Sequence, residues 1–183
     1  MFSAADYAFM SHALHLAERG LFSTTPNPRV GCVVVRDGRI AGGGWHEKAG
    51  QSHAEINALT AAGAAARGAT AYVTLEPCSH HGRTPPCADA LIAAGIARVV
   101  MAMEDPNPLV SGRGQALLQQ AGVTVQMGLL QAEAQALNAG FVSRMTQKKP
   151  WVRLKTAASL DGKTALNNGV SQWITGEAAR RDG

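Results

Sequence analysis

"HAEINALTAAGAAARGATAYVTLEPC", His53 to Cys78, sets a helix-length segment directly before a short apolar one. The first part, from about His53 to Arg67, predicts a helix. "TAYVTL", Thr70 to Leu75, has the length and composition of a buried strand. The rest of the chain keeps this rhythm. Downstream come a helix opening at Cys87 behind Pro85 and Pro86, the strand "ARVVMAM", the helix "GQALLQQAG", the strand "VTVQMG" and a long helix from about Leu130 to Met145. Upstream, a helix over Ala4 to Arg19 would turn Tyr7, Met10, Ala13, Leu14 and Ala17 to one face and stop at Gly20. After the loop "LFSTTPNPRV", the runs "VGCVVV" (Val30 to Val35) and "IAGGGWH" (Ile40 to His46) flank an Asp-Gly turn and predict a hairpin. Strands alternating with helices specify an α/β fold with a mixed, mostly parallel central sheet covered on both faces.

The chain has 183 residues, enough for one complete α/β domain and an appendage. "TQKKP" (residues 146–150) reads as a linker between residues 1–145 and a new unit over 151–183. That unit opens with "WVRLKTAASLDGKTA" and has too few elements to close a core of its own. No apolar run approaches the roughly 18 residues of a membrane span, and "MFSAADYAFM" lacks a signal-peptide pattern, so a cytoplasmic protein without membrane partners is expected. The net charge of +4 does not imply nucleic acid. Residues 1–143 hold 9 Lys and Arg against 10 Asp and Glu, and residues 144–183 hold 8 against 3, so the larger segment lacks the basic balance of a phosphate-tracking surface.

Three cysteines in a reducing compartment argue for metal or catalytic roles rather than a disulfide framework. Cys78 follows the strand and Cys87 opens a helix, bracketing "SHHGRTPP". With His53 they make a His, Cys, Cys set that leaves a fourth tetrahedral position for water, the pattern of a catalytic zinc. Such a zinc brings the pKa of its water toward neutrality. Glu55, two residues from His53, would sit beside the metal as general acid and base. Residues i and i+2 diverge on a regular helix, but at a first turn that is not yet fully helical they can converge on something outside it. Zinc nucleobase deaminases carry H-x-E followed by P-C-x-x-C. Here Pro77 precedes the first cysteine and eight residues, instead of two, separate the pair.

"TPNPRVGCVVV", "GGWHEKAGQSHAE", "YVTLEPCSHHGRTPPC" and "DPNPLVSGRG" together resemble the deaminase half of the bifunctional riboflavin-biosynthesis deaminase/reductase family. "RLKTAASLDGKTA" and "GVSQWITG" resemble the opening of its reductase half. The resemblance implies a cytidine-deaminase-like three-layer α/β/α domain. It would replace an exocyclic amine of the diamino-pyrimidinone ribosylamine phosphate with a carbonyl, releasing ammonia. It implies zinc on His53, Cys78 and Cys87, proton shuttling by Glu55, and a substrate pocket lined by Asn27, His46, His80, Arg83 and Asn107. In the reductase-like segment it points to Lys155, Ala157 and Trp173 for NADPH and to Ser171 for substrate. Residues 151–183 cannot make a complete reductase fold and hold no GxGxxG, so no reductase activity is expected of these 183 residues alone. A family member with an exposed truncated sheet is expected to form a homo-oligomer.

Other readings stay open at this level. Cys78 and Cys87 could pair as a disulfide, or a fourth ligand from His80 or His81 could make the zinc structural, leaving a non-catalytic module. A nucleic-acid-editing or free-nucleoside deaminase of the same fold is a further alternative, and Arg83 could be a plain surface charge. Cys32, within "VGCVVV", reads as a small buried hydrophobe. His12 and His15 lie one turn apart with no carboxylate or cysteine beside them.

Overall fold

A computed structural model describes residues 1–79, 86–108 and 110–182. The chain divides into two units, Met1–Pro150 and Trp151–Gly183. The first opens with α1 (Ala4–Glu18), and Ser3 shows why it starts there. The Ser3 hydroxyl accepts the Asp6 N–H at 3.2 Å while the Asp6 carboxylate accepts the Ser3 N–H at 2.8 Å, a reciprocal capping box. The buried face of α1 is Asp6, Met10, Ala13, Leu16 and Ala17. It is rotated from the one the apolar periodicity predicts: Tyr7 faces outward and Leu14 is half-buried. The cause is Asp6, which also accepts the Tyr72 hydroxyl at 2.7 Å and Arg98 Nη1 at 2.8 Å and so turns inward.

Strands β1 (Gly31–Arg36), β2 (Arg39–Trp45), β3 (Thr70–Val73), β4 (Arg98–Met101) and β5 (Thr124–Met127) form one sheet in the order β2-β1-β3-β4-β5. β1 pairs antiparallel with both β2 and β3, whereas β3, β4 and β5 run parallel. The sheet is therefore mixed, with its parallel half served by the crossover helices α3 (Cys87–Ala93) and α4 (Arg113–Gln120). Asp37 and Gly38, both at positive φ, make the hairpin turn. Cys32, Val33, Val34, Val73, Val99 and Val100 are fully buried, each valine contributing roughly 1.5–3 kcal/mol by leaving water.

Glycines in β2 set how closely the helices approach. A Cβ on Gly44 would lie 2.6 Å from the Ala58 nitrogen and 2.8 Å from the Ala54 oxygen of α2 (Ala54–Ala62), while one on Gly43 would meet Leu16 of α1. Successive residues of a strand face opposite ways, so α1 and α2 cover opposite faces of the sheet. A 3₁₀ turn over Gly63–Ala66 then ends the helical run that the sequence carries on to Arg67.

The long helix expected over 130–145 is two helices, α5 (Gln131–Leu137) and α6 (Ala139–Gln147), broken at Asn138. Asn138 is fully buried and clasps Arg29: its Oδ1 accepts the Arg29 N–H at 2.8 Å and its Nδ2 donates to the Arg29 carbonyl at 2.9 Å. Arg29 Nη1 closes the contact on the Leu137 carbonyl at 2.9 Å, one of the carbonyls left open at the end of α5. The second unit contains α7 (Glu177–Asp182), and its large apolar side chains, among them Leu154, Leu160 and Trp173, are exposed. Among the described residues no helix is long and apolar enough to cross a membrane.

The Asp6 cluster makes a stability prediction. The Arg98 guanidinium, aided by Ser3 and Tyr72, holds the Asp6 carboxyl well below the usual carboxylate range. A depressed folded pKa contributes stability that is present above the unfolded value, near 3.8, and is lost as pH falls through the folded one. Asp6→Asn is expected to cost about 2–3 kcal/mol near neutral pH. The difference from wild type should shrink below about pH 4, read from urea unfolding midpoints across pH.

Candidate active site

The ends of several elements meet at one cavity of about 320 Å³. His53 is the N-cap of α2, with φ −74° and ψ 162°, so its backbone is extended and its side chain leaves the helix axis. Glu55 lies in the first true turn and is 3% exposed. Their spacing of two, divergent on a regular helix, therefore lets both line the same wall. Cys78 follows β3, and Cys87 is the first residue of α3 behind Pro86, which accepts the position before a helix without loss of an N–H bond.

The His53 Nδ1 lies 3.1 Å from Cys87 Sγ and 3.6 Å from Cys78 Sγ, and the Cys87 N–H donates to Cys78 Sγ at 3.3 Å. All three donor atoms fall within 4.8 Å of one another. Zinc bonds of about 2.3 Å to sulfur and 2.0 Å to nitrogen at tetrahedral angles separate such donors by roughly 3.5–3.8 Å, so the group fits a zinc ion. The electrostatics agree. A hydrogen bond from the Cys87 thiol, with His53 and the Cys87 N–H, holds the Cys78 thiol below its ordinary range, while the same shared proton and burial push Cys87 up. The hydrogen bond with Cys78 raises His53. A cation in place of the shared protons satisfies both sulfurs at once.

Burial pushes the Glu55 carboxyl up to about 7, and it lies within hydrogen-bonding reach of Cys87. His46, 3% exposed, sets its Nδ1 3.1 Å from the Ser52 carbonyl and its Nε2 3.1 Å from Asn27 Nδ2. Nδ1 must donate to the carbonyl, so Nε2 accepts from the amide and the ring is neutral, in keeping with burial lowering its pKa. This fixes Asn27 and leaves its Oδ1 as an acceptor. The His46 ring stands edge-on to His53 with centroids 5.4 Å apart.

Of the residues that the sequence points to, Asn27, His46, His53, Glu55, Cys78 and Asn107 line this cavity. Cys87 reaches it through the donor cluster. His80 and Arg83 lie outside the described residues. Lys155, Ala157, Ser171 and Trp173 belong to the second unit. There Ser171 and Trp173 line a cavity of about 210 Å³, and Lys155 donates to the Ala179 carbonyl at 2.9 Å. Glu76 and Arg144, which are not among the residues that the sequence points to, also line the main cavity. Glu76 gave a signal, a carboxylate beside Pro77 at the end of an apolar strand. Arg144 gave none, since it reads as one more tail charge.

Residues 3–103 match the family described as "Cytidine and deoxycytidylate deaminase zinc-binding region", and residues 150–183 match "RibD C-terminal domain". The chain is 62% identical over 177 residues to the riboflavin biosynthesis protein RibD of Escherichia coli K12, covering 97% of this chain and 48% of that protein. It is similar to the solved Acinetobacter baumannii RibD, form 1, with a TM-score of 0.91 and 56% identity over 97% of this chain and 50% of that one. The Aspergillus oryzae Rib2 deaminase solved in complex with DARIPP shares the fold, with a TM-score of 0.62 at 24% identity over 79% of this chain and 95% of that one. The chain spans about half the length of the curated relatives it matches.

Proposed function

We propose a function from the premise that this chain belongs to the cytidine and deoxycytidylate deaminase zinc-binding family. It hydrolyses an exocyclic amine from the phosphorylated diamino-pyrimidinone ribosylamine of riboflavin synthesis, releasing ammonia. The observation that carries this reading is the His53, Cys78 and Cys87 cluster, whose His53 and Cys78 line one cavity together with a buried carboxyl at Glu55. Residues 1–145 are assigned to this deaminase. Residues 151–183 are assigned to the opening of a reductase domain, where Lys155, Ala157, Ser171 and Trp173 would serve NADPH and substrate contacts.

A zinc ion held by His53, Cys78 and Cys87 would supply a water activated for attack near neutral pH. The chain's own residues do the rest. Glu55, with a pKa near 7, takes a proton from the attacking water and returns it to the departing amine as the ring carbon–nitrogen bond breaks. Its burial keeps bulk water from competing for that proton. Asn27, held by neutral His46, offers Oδ1 to a ring or ribose donor. Asn107 faces the same space. Ammonia release from that pyrimidine by protein carrying one zinc per chain tests the assignment, and no release from fully loaded protein refutes it.

The phosphate needs a cation. Arg144 sits on the cavity wall, donates through Nη2 to the Pro26 carbonyl at 2.8 Å, and lies 5.7 Å over the Phe141 ring. These contacts orient the guanidinium while leaving further N–H groups for a phosphate. Arg144→Ala is expected to raise KM for the phosphorylated substrate by roughly 10- to 100-fold, the value of a charge-assisted hydrogen bond. It should leave KM for the dephosphorylated compound unchanged. Equal effects on both compounds would remove Arg144 from phosphate recognition.

A further inference from the structure

We propose that Glu76 is a positioning residue for the deaminase site, a single carboxylate that fixes the metal-ligand segment and the substrate-facing 105–107 loop relative to each other. This rests on the deaminase reading above. Glu76 is 3% exposed and immediately precedes Pro77 and Cys78. Its Oε2 accepts the N–H groups of Asp105 at 3.2 Å and Gly112 at 3.0 Å. Its Oε1 accepts those of Gly114 at 2.9 Å and Gln115 at 3.1 Å. Gly112 is the N-cap of α4, and its own residue type offers no side chain to cap the helix. Glu76 therefore supplies the cap from 36 residues away, satisfying open N–H groups of the first turn with a full negative charge at the positive end of the helix dipole.

Capping alone would be structural. Three further contacts tie Glu76 and the segments it holds to the site. The Glu76 N–H donates to the Met103 carbonyl at 3.0 Å, fastening its own backbone beside β4. Asp105, held by Oε2, accepts the Asn107 N–H at 2.8 Å through Oδ1, and Asn107 lines the cavity. A Cβ on Gly114 would run into the Pro77 carbonyl oxygen, so α4 is packed backbone to backbone against the residue before Cys78. Loosening Glu76 frees two things together, the Cys78 segment and the Asn107 loop. Glu55 and His53, on α2, are not among its hydrogen-bond partners. The structure assigns Glu76 to ligand and substrate geometry and leaves proton transfer to Glu55.

The test uses zinc-loaded Glu76→Gln. Glutamine keeps the shape, loses the charge, and presents an NH₂ group to two of the four N–H donors. Expected are a KM raised about tenfold with kcat within about threefold, and zinc released to a chelator about tenfold faster. Asp6→Asn serves as the structural control, since Asp6 bonds the start of β4 at Arg98 while the cavity lies beyond the strand's other end. It should lose stability with KM and zinc release unchanged. The proposal is overturned if Glu76→Gln behaves like Asp6→Asn, with a lowered unfolding midpoint and both quantities within about twofold of wild type. If Glu76→Gln does not fold, Glu76→Asp keeps the charge one methylene short. The same two changes in that variant support the proposal, and their absence overturns it. Zinc release needs no substrate, so it decides the role of Glu76 even if wild-type protein releases no ammonia, a result that would refute the deaminase reading itself.

Discussion

Glu55→Gln is expected to reduce ammonia release by roughly a hundredfold to ten-thousandfold while zinc binding is retained. The substitution is nearly isosteric, and Glu55 is no member of the three-donor cluster, so the ligand geometry survives. What is lost is a carboxyl that can hold and release a proton at neutral pH, where burial has set it. The amide can do neither. Steady-state ammonia assays beside metal analysis separate this outcome from a folding defect. Retention of more than about a tenth of wild-type kcat would show that Glu55 does not carry the proton.

The second large effect is expected at Cys87. Cys87→Ala should fall to background activity, and its zinc affinity should drop by more than the roughly 10- to 100-fold that losing an outer partner of a metal ligand costs. Cys87 is 1% exposed and bonded to both other donors, so no water easily takes its place on a metal. Alanine suits the first turn of α3, so helix content by circular dichroism should stay near wild type. Zinc per chain after dialysis is the direct measurement, and near-stoichiometric zinc in the variant would remove Cys87 from the ligand set. The thermal midpoint of wild type should rise with added zinc and that of the variant should not, because only a bound ion stabilises the folded state.

How far the fold can be read from sequence depends on how local its causes are. The hairpin is legible because Asp37 and Gly38 alone dictate its turn. The helix starts at His53 and Cys87 are legible because capping position and proline act within a few residues. The break at Asn138 is not, since its partner Arg29 lies 109 residues away and nothing near Asn138 announces it. The face of α1 is misread for the same reason: Asp6 looks like a solvent residue until Arg98, 92 positions later, is beside it. The candidate site divides along this line. His53, Glu55, Cys78 and Cys87 come from two short motifs, whereas Glu76 and Arg144 take their meaning from distant contacts, with Asp105 and the start of α4 for the one and with Pro26 for the other.

The glycines of β2 bear on how such a protein withstands sequence drift. Most helices rest on a sheet through side chains, and any exchange of valine for isoleucine there shifts the helix by a fraction of an ångström. Here α2 rests on bare peptide at Gly42 and Gly44, with Ala54, Ala58 and Ala62 against it. On the sheet side of that seam there is no side chain to enlarge, and an added Cβ would meet the backbone of α2, so its thickness is fixed from that side by the peptide itself. A side chain introduced at Gly42 or Gly44 would therefore push α2 off the sheet as a whole, carrying with it the end that bears His53 and Glu55, whereas a change of size elsewhere in the core does not pass through this seam.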